Sequence, residues 1–425
     1  MNKKRVSRLW HWRPSGLWGR PAFARVWASL TVTSFGGQIT NLALPLTAAL
    51  LLNATPFEMG LLVALELAPF ALIGLFAGVW VDRLAKLPLI IITDVARGVF
   101  LLAVPLAAAF GHLHMSVLYL VGFVCGVGNV IGGAAYQVFI TQIVGRQNLV
   151  EANAKIAVSQ SSAELVGPGA AGFLIHALGA PFAITLDAIS FLVSGWMLKD
   201  IQDRGEPTHG GSASASIWAE ILEGLRLVWR NEVLRLLAWT VALWQFLHCM
   251  YLAVIILFAS RELGLSPGAI GFIYAMSGAG CLLAAVLAKR GGERFGVGPQ
   301  TAQGLALTAL AWLLFAVASG SYWVALATLS LGMLLFGFGA TLFTVNYLSL
   351  RQAITPDALL GRMTATMRFL TVAAAPVGSL FGGILASAIG LRATLWCVGI
   401  AGLGLGAFMT GFSALREVRR LPSGE

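Results

Sequence analysis

Along this chain the apolar positions come as continuous runs, recurring from Phe23 to Leu415 and broken by short stretches of Pro, Gly and charge. A run of roughly 20 apolar residues crosses a bilayer as one helix. The punctuation predicts twelve such helices, over about 24–52, 57–81, 88–110, 115–140, 155–177, 180–198, 235–260, 267–289, 299–318, 322–350, 363–389 and 392–415. Those longer than the minimum are expected to tilt, kink or project from the membrane. The predicted fold class is all-α integral membrane, with twelve transmembrane helices in two pseudo-symmetric six-helix bundles.

Composition excludes a soluble protein. Soluble domains are roughly a quarter charged; these 425 residues are 58% hydrophobic and 11% charged, with a mean hydropathy of +0.83. The net charge of +10 does not point to a nucleic acid, because Lys and Arg punctuate the junctions instead of forming one patch. Lys3, Lys4, Arg5, Arg8, Arg13, Arg20 and Arg25 stand at or before the start of the first span. Later even-numbered junctions carry Arg83 and Lys86, Arg146 and Lys155, Lys199 to Arg235, Lys289 to Arg294, and Arg351 to Arg368. Odd-numbered junctions hold only Arg261 and Arg392. The positive-inside rule then predicts both termini in the cytoplasm.

The predicted domain order starts with a basic cytoplasmic tail over 1–23, without a signal-peptide pattern, whose Trp10, Trp12 and Trp18 suit the headgroup layer. A six-helix bundle over 24–198 follows, then a cytoplasmic linker over 199–234, a second bundle over 235–415 and a tail over 416–425. The linker begins with a Gly/Ser/Ala-rich stretch, Asp200–Ser216, and ends in an amphipathic surface helix. There Glu223, Arg226 and Arg230 share one face, while Ile221, Leu222, Leu225 and Val228 lie mainly on the other. Cys125, Cys249, Cys281 and Cys397 all sit in apolar segments without metal spacing and read as small core residues. His112 and His114 alone do not make a metal site.

The halves echo each other at a shift of about 210 residues. QIVGRQNL from Gln142 aligns with QAITPDAL from Gln352, and Tyr136 falls opposite Tyr347. After a two-residue slip, Gly167-Pro168 with Gly169 and Gly172 parallels Ala375-Pro376 with Gly378 and Gly382. Gly167, Pro168, Gly172, Pro376 and Gly378 form the predicted helix-packing motif, since small residues let helices approach closely.

Between spans two and three stands GVWVDRLAKLP. Gly78 permits close helix approach, and Asp82 can accept hydrogen bonds from a helix N-terminus. Gly78, Asp82, Arg83 and Lys86 resemble the G-x-x-x-D-R-x-x-R/K-R/K loop of the major facilitator superfamily, with Leu87 where a second basic residue is often found. The resemblance implies a cytoplasmic gate, in which Asp82 meets the start of span eleven near Gly361-Arg362-Met363 when that side closes. Asp94 and Arg97 are expected to form an i,i+3 ion pair supporting this latch. Further stretches resemble the branch containing the enterobactin exporter and macrolide-efflux-type proteins: VGRQNLVEANA, VGPGAAG, ITLDAISFLVS, EGLRLVWRNEVLRLL and RQAITPDALLGRM. In span five, Ala171 stands where exporters often place the first of paired glycines.

An ionisable group in mid-bilayer costs on the order of 2.5–3.5 kcal/mol on insertion scales, so each needs a reason. At about 1.5 Å per residue, Glu66 lies ~12 Å below the outer face, Glu164 ~14 Å above the inner one and Asp187 ~10 Å below the outer one. No basic residue lies one helical turn from any of them. A carboxylate held away from water is chemically suited to carry protons, so Glu66, Glu164 and Asp187 are the proton-coupling candidates. Gln38, Asn41, Gln245 and His248 are the substrate-cavity candidates; Asn129 and Gln137 either line the cavity or join helices. Proton handling is expected in the first half and much of the substrate contact in the second.

The leading expectation is a secondary transporter in the bacterial inner membrane, exporting amphipathic small molecules, drug-like or siderophore, against inward proton flow by alternating access. An uptake permease or lipid flippase on the same scaffold is the alternative, and a polytopic membrane enzyme is the alternative of a different class. No catalytic set and no phosphate-binding loop occur in the sequence. The expected energy source is the proton gradient, with no cofactor and no metal. The expected partners are a small-molecule substrate and the lipid bilayer, with no nucleic acid, and the expected state is a monomer.

Overall fold

The computed structural model describes residues 16–202, 225–356 and 359–411. Outside them lie most of the N-terminal tail, most of the predicted linker and the C-terminal tail, with the side chains of Gly78, Asp82 and Arg362 that carry the predicted latch. Within them, twelve long helices follow one another: α1 (Pro21–Leu46), α2 (Pro56–Arg83), α3 (Lys86–Ala109), α4 (Met115–Val144), α5 (Leu149–Leu178), α6 (Ala180–Leu198), α7 (Glu232–Leu257), α8 (Pro267–Phe295), α9 (Val297–Val317), α10 (Tyr322–Ala353), α11 (Leu360–Ile389) and α12 (Leu391–Gly411). Ten carry a window long and apolar enough to cross a membrane. The exceptions are α1, interrupted by Gln38 and Asn41, and α5, interrupted by Glu151, Lys155, Gln160 and Glu164. Of the predicted surface helix, residues 225–230 are described and helical, with Val228 buried and Arg226 and Arg230 exposed.

Arg83, Lys86, Arg146, Lys155 and Arg351 mark one end of the molecule, the basic end; the α1–α2 and α7–α8 connections mark the far end. Each half builds the same far-end hairpin. α1 passes into a π turn at Thr47–Leu51 and α7 into one at Phe258–Glu262. Left-handed residues follow, Asn53 at φ 50° and Gly264 at φ 62°. Thr55 and Ser266 then cap α2 and α8, each accepting at 3.3 Å from a backbone N–H three residues on, ahead of Pro56 and Pro267. One offset of 211 residues (258 against 47) relates all these pairs.

Two glycine crossings join the halves near the far end. A Cβ on Gly60 of α2 would stand 2.6 Å from the Ser379 carbonyl oxygen and 2.9 Å from Gly383 Cα of α11. One on Gly271 of α8 would stand 2.5 Å from the Pro168 carbonyl oxygen and 2.6 Å from Gly172 Cα of α5. These contacts correct the alignment of the repeat. Gly172 corresponds to Gly383, not Gly382, and no slip is needed, because the contact register is the same in both halves. Gly167 and Gly378 are counterparts too, Gly167 against the Gln38 side chain of α1 and Gly378 against the Phe246 backbone of α7.

The apolar cores show which end is closed. One cluster holds residues of both halves near the far end, among them Leu44, Leu46 and Met59 with Tyr251, Ile255 and Phe258. Toward the basic end the core splits in two. One part, around Phe139, Val144 and Leu198, belongs to the first half; the other, around Leu237, Leu350 and Met367, belongs to the second. The two arginines that break the charge asymmetry both act at the closed end. Arg261 Nη2 donates to the Ala49 carbonyl of the other half at 2.8 Å. Arg392 donates to the Ala316 and Ala318 carbonyls and lies 3.5 Å from Glu262. Lone carbonyls at helix ends need such donors.

Candidate functional site

Where the cores part, a cavity of about 1010 Å³ opens between α2 and α4 of one half and α10 and α11 of the other. Phe70, Gly74 and Ala77 recur along one face of α2, and Asn129, Gly133 and Gln137 along one face of α4. Across from them stand Gln352 from the end of α10 and Gly361, Thr364, Arg368 and Phe369 from α11. Asn129 and Gln137 thus line the cavity. Gln38, Asn41, Gln245 and His248 do not. Gln38 packs on Gly167, Asn41 is exposed away from this lining, and Gln245 donates to the Cys249 sulfur at 3.3 Å. His248 is stacked between Trp244 and Phe336, with ring centroids 5.2 and 5.1 Å away. These residues sit on α1 and α7, whereas the described lining comes from α2, α4, α10 and α11, two helices of each half. Sequence reading missed Arg368 because its charge also satisfies the orientation rule at that junction.

Beside the cavity, the first bundle buries a polar network. Asp94 Oδ2 accepts from Ser194 at 2.5 Å and from Tyr136 at 3.1 Å, and the Ser29 hydroxyl shares hydrogen bonds with Tyr136 (2.8 Å) and Ser194 (2.6 Å). Asp187 accepts from Thr40 at 2.5 Å and from Ser190 at 3.0 Å. Residues 187, 190, 191 and 194 share a face of α6; Asp187 meets Thr40 of α1, while Phe191 and Ser194 meet Arg97 and Asp94 of α3.

The Asp94–Arg97 ion pair predicted from their spacing does not form. Asp94 is taken by two hydroxyls, and Arg97 instead lies over the Phe191 ring, 3.8 Å from its centroid, with its Nε buried and unpartnered. Arg97 nevertheless acts electrostatically on both Asp94 and Asp187. Asp187 therefore has a cation nearby, from α3, that local sequence does not reveal. The Arg97 stem fits because Gly128 of α4 presents no side chain there.

Glu66 is partly buried one turn beyond Phe70, packed on Gly122 and Gly126 of α4, with no hydrogen-bond partner among the described residues. Glu164 is exposed on α5 near Gly278 of α8, off the described lining of the cavity. Lys86 is fully buried, and its Nζ donates to the Leu84 carbonyl at 2.9 Å. Arg83 is exposed. Pro376 lies inside α11, where its carbonyl accepts from Ser379 at 3.0 Å.

A family model described as Major Facilitator Superfamily matches residues 26–260 and 245–424. The Multidrug efflux pump Tap of Mycolicibacterium fortuitum is 27% identical over 406 residues, 94% of this chain and 97% of that protein. An uncharacterized MFS-type transporter, y4rN, of Sinorhizobium fredii is 26% identical over 370 residues, 86% of this chain and 88% of its own length. Among solved structures, a bacterial homologue of the iron transporter ferroportin in an inward-facing state superposes with a TM-score of 0.73 at 15% identity, covering 93% of this chain and 98% of that one.

Proposed function

This chain belongs to the major facilitator superfamily, and on that premise we propose that it is a proton-driven exporter of amphipathic small molecules working by alternating access. The observation that carries the reading is the cavity of about 1010 Å³ between two pseudo-symmetric bundles, open toward the basic end and sealed at the far end. In this reading the basic end faces the cytoplasm of a bacterium, both termini lie there, and the conformation is the one that loads substrate. The chain works as a monomer, and bundles over 24–198 and 235–415 rock about the glycine crossings. Asp82 latches the cytoplasmic side when the cavity opens outward. Similarity to a multidrug efflux pump supports export and an amphipathic cargo.

Protons pass through the first bundle, with Asp187, Glu66 and Glu164 as the candidate carriers. Inside-out vesicles containing the protein test this. An imposed pH gradient, acidic inside, should drive uptake of efflux-type dyes, and a protonophore should abolish it. Asp187→Asn or Glu66→Gln should leave dye binding intact and remove the gradient dependence. Unchanged gradient dependence in Glu66→Gln, Glu164→Gln and Asp187→Asn alike would refute the coupling, and dye uptake by whole cells would refute export.

A further inference from the structure

Among the described residues lining the cavity, Arg368 carries the only formal charge, and no carboxylate stands with it. Arg368 sits eight residues into α11, about 12 Å along the helix from its start. Among the described residues neither a hydrogen bond nor an ion pair ties it to another group, whereas Arg351, Thr355 and Thr371, nearby on α10 and α11 or just beyond, are each engaged. A guanidinium is always charged and presents a planar fork of donors matching carboxylate, sulfonate or phosphate oxygens. Ionisable residues within spans face the bundle interior or a water-filled cavity and mark substrate pathways. Gln137 and Gln352 add neutral amides to the lining, and Phe70 and Phe369 add apolar surface. Under the internal repeat its counterpart is Ala157, so the charge belongs to one wall only.

We infer that Arg368 is an anion subsite: the cavity takes an amphiphile with one anionic group, which the guanidinium holds while the apolar body lies against Phe70 and Phe369. This rests on the export reading and adds the substrate's charge class to it. The anion can be that of a soluble compound or of a lipid headgroup; both offer the same oxygens.

The test uses the full chain in nanodiscs and three probes that share a pyrene: 1-pyrenebutanoate, its neutral primary amide and the cationic 1-pyrenebutylamine. Binding is read by tryptophan-to-pyrene energy transfer, corrected for empty nanodiscs. The butanoate should bind wild type about 10- to 100-fold more tightly than the amide, as expected for a charge-assisted hydrogen bond. Arg368→Gln should erase that preference while leaving the amide's affinity unchanged, and Arg368→Lys should keep most of it. Equal binding of the three probes, no binding of any, or a preference that survives Arg368→Gln overturns the inference. In phosphatidylcholine discs, displacement of the butanoate by added phosphatidylglycerol identifies a lipid headgroup as the natural anion; no displacement identifies a soluble one. Uptake of the same probes into inside-out vesicles separates the two claims. Gradient-driven uptake without charge preference sinks the subsite and leaves export standing, whereas tight, Arg368-dependent binding without uptake sinks export and leaves the subsite.

Discussion

The two bundles share one backbone plan and opposite interiors. The 211-residue offset holds deep inside them: Gly195 of α6 packs on Val95 of α3, as Gly406 of α12 packs on Ala306 of α9. Yet Asp94, Arg97 and Asp187 have Leu305, Thr308 and Val398 at the matching positions. The first bundle is joined by hydroxyl–carboxylate bonds. The second is filled by Trp244, His248, Tyr251, Trp312, Phe315 and Phe336, stacked with centroids 5.1–6.5 Å apart. Stacking on this scale is packing that needs no charge. The difference teaches that a duplicated scaffold can keep its glycine contacts symmetric while one copy buries hydroxyl–carboxylate bonds and the other a stack of aromatic rings.

The strongest challenge to this contrast is Trp312→Ala. Trp312 is fully buried at the centre of the stack, so truncation should cost about 3–5 kcal/mol, seen as a lower unfolding temperature in detergent. Transport per folded molecule should keep its gradient dependence; if that is lost, the second bundle also handles protons. Asp187→Asn reverses the pattern. The amide nearly preserves shape, so the stability cost should be about 1–3 kcal/mol, the range for disturbing a buried hydrogen-bond pair, whereas gradient-driven uptake should disappear.

The symmetric contacts come next. Gly60→Ala and Gly271→Ala each force a methyl against backbone across the halves, at a cost of about 1–3 kcal/mol for overpacking. Both should shift the population toward a far-end-open state to a similar degree, read as reduced crosslinking between cysteines placed across that end. Unequal shifts would show that one crossing alone is the hinge. The smallest effect is expected from Arg261→Gln, which removes a single hydrogen bond to Ala49, worth about 0.5–1.5 kcal/mol, and should loosen the same crosslink slightly.

Helix number, helix order and the duplication were legible in the sequence because bilayer thickness fixes the length of each apolar run and a repeat keeps its spacing. Thr55 with Glu58 and Asn231 with Leu234 show that the starts of α2 and α7 are written locally as well. The candidate site was legible only in part. Asn129 and Gln137 reached the cavity, whereas Gln38, Gln245 and His248 were drawn into packing, since hydropathy gives no helix rotation. The Asp94–Arg97 spacing predicted a pair, and Ser194, Tyr136 and Phe191 from other helices decided otherwise.

The sequence by itself determined a membrane protein of two related six-helix halves, because partition into lipid depends on each segment's own composition. Only the tertiary structure decided which charges meet, which end is shut and that Arg368 stands in the cavity wall without a partner among the described residues. Those outcomes depend on how helices rotate and cross, and that is settled by contacts such as Gly60 with Gly383 and Gly172 with Gly271, between residues far apart in the chain.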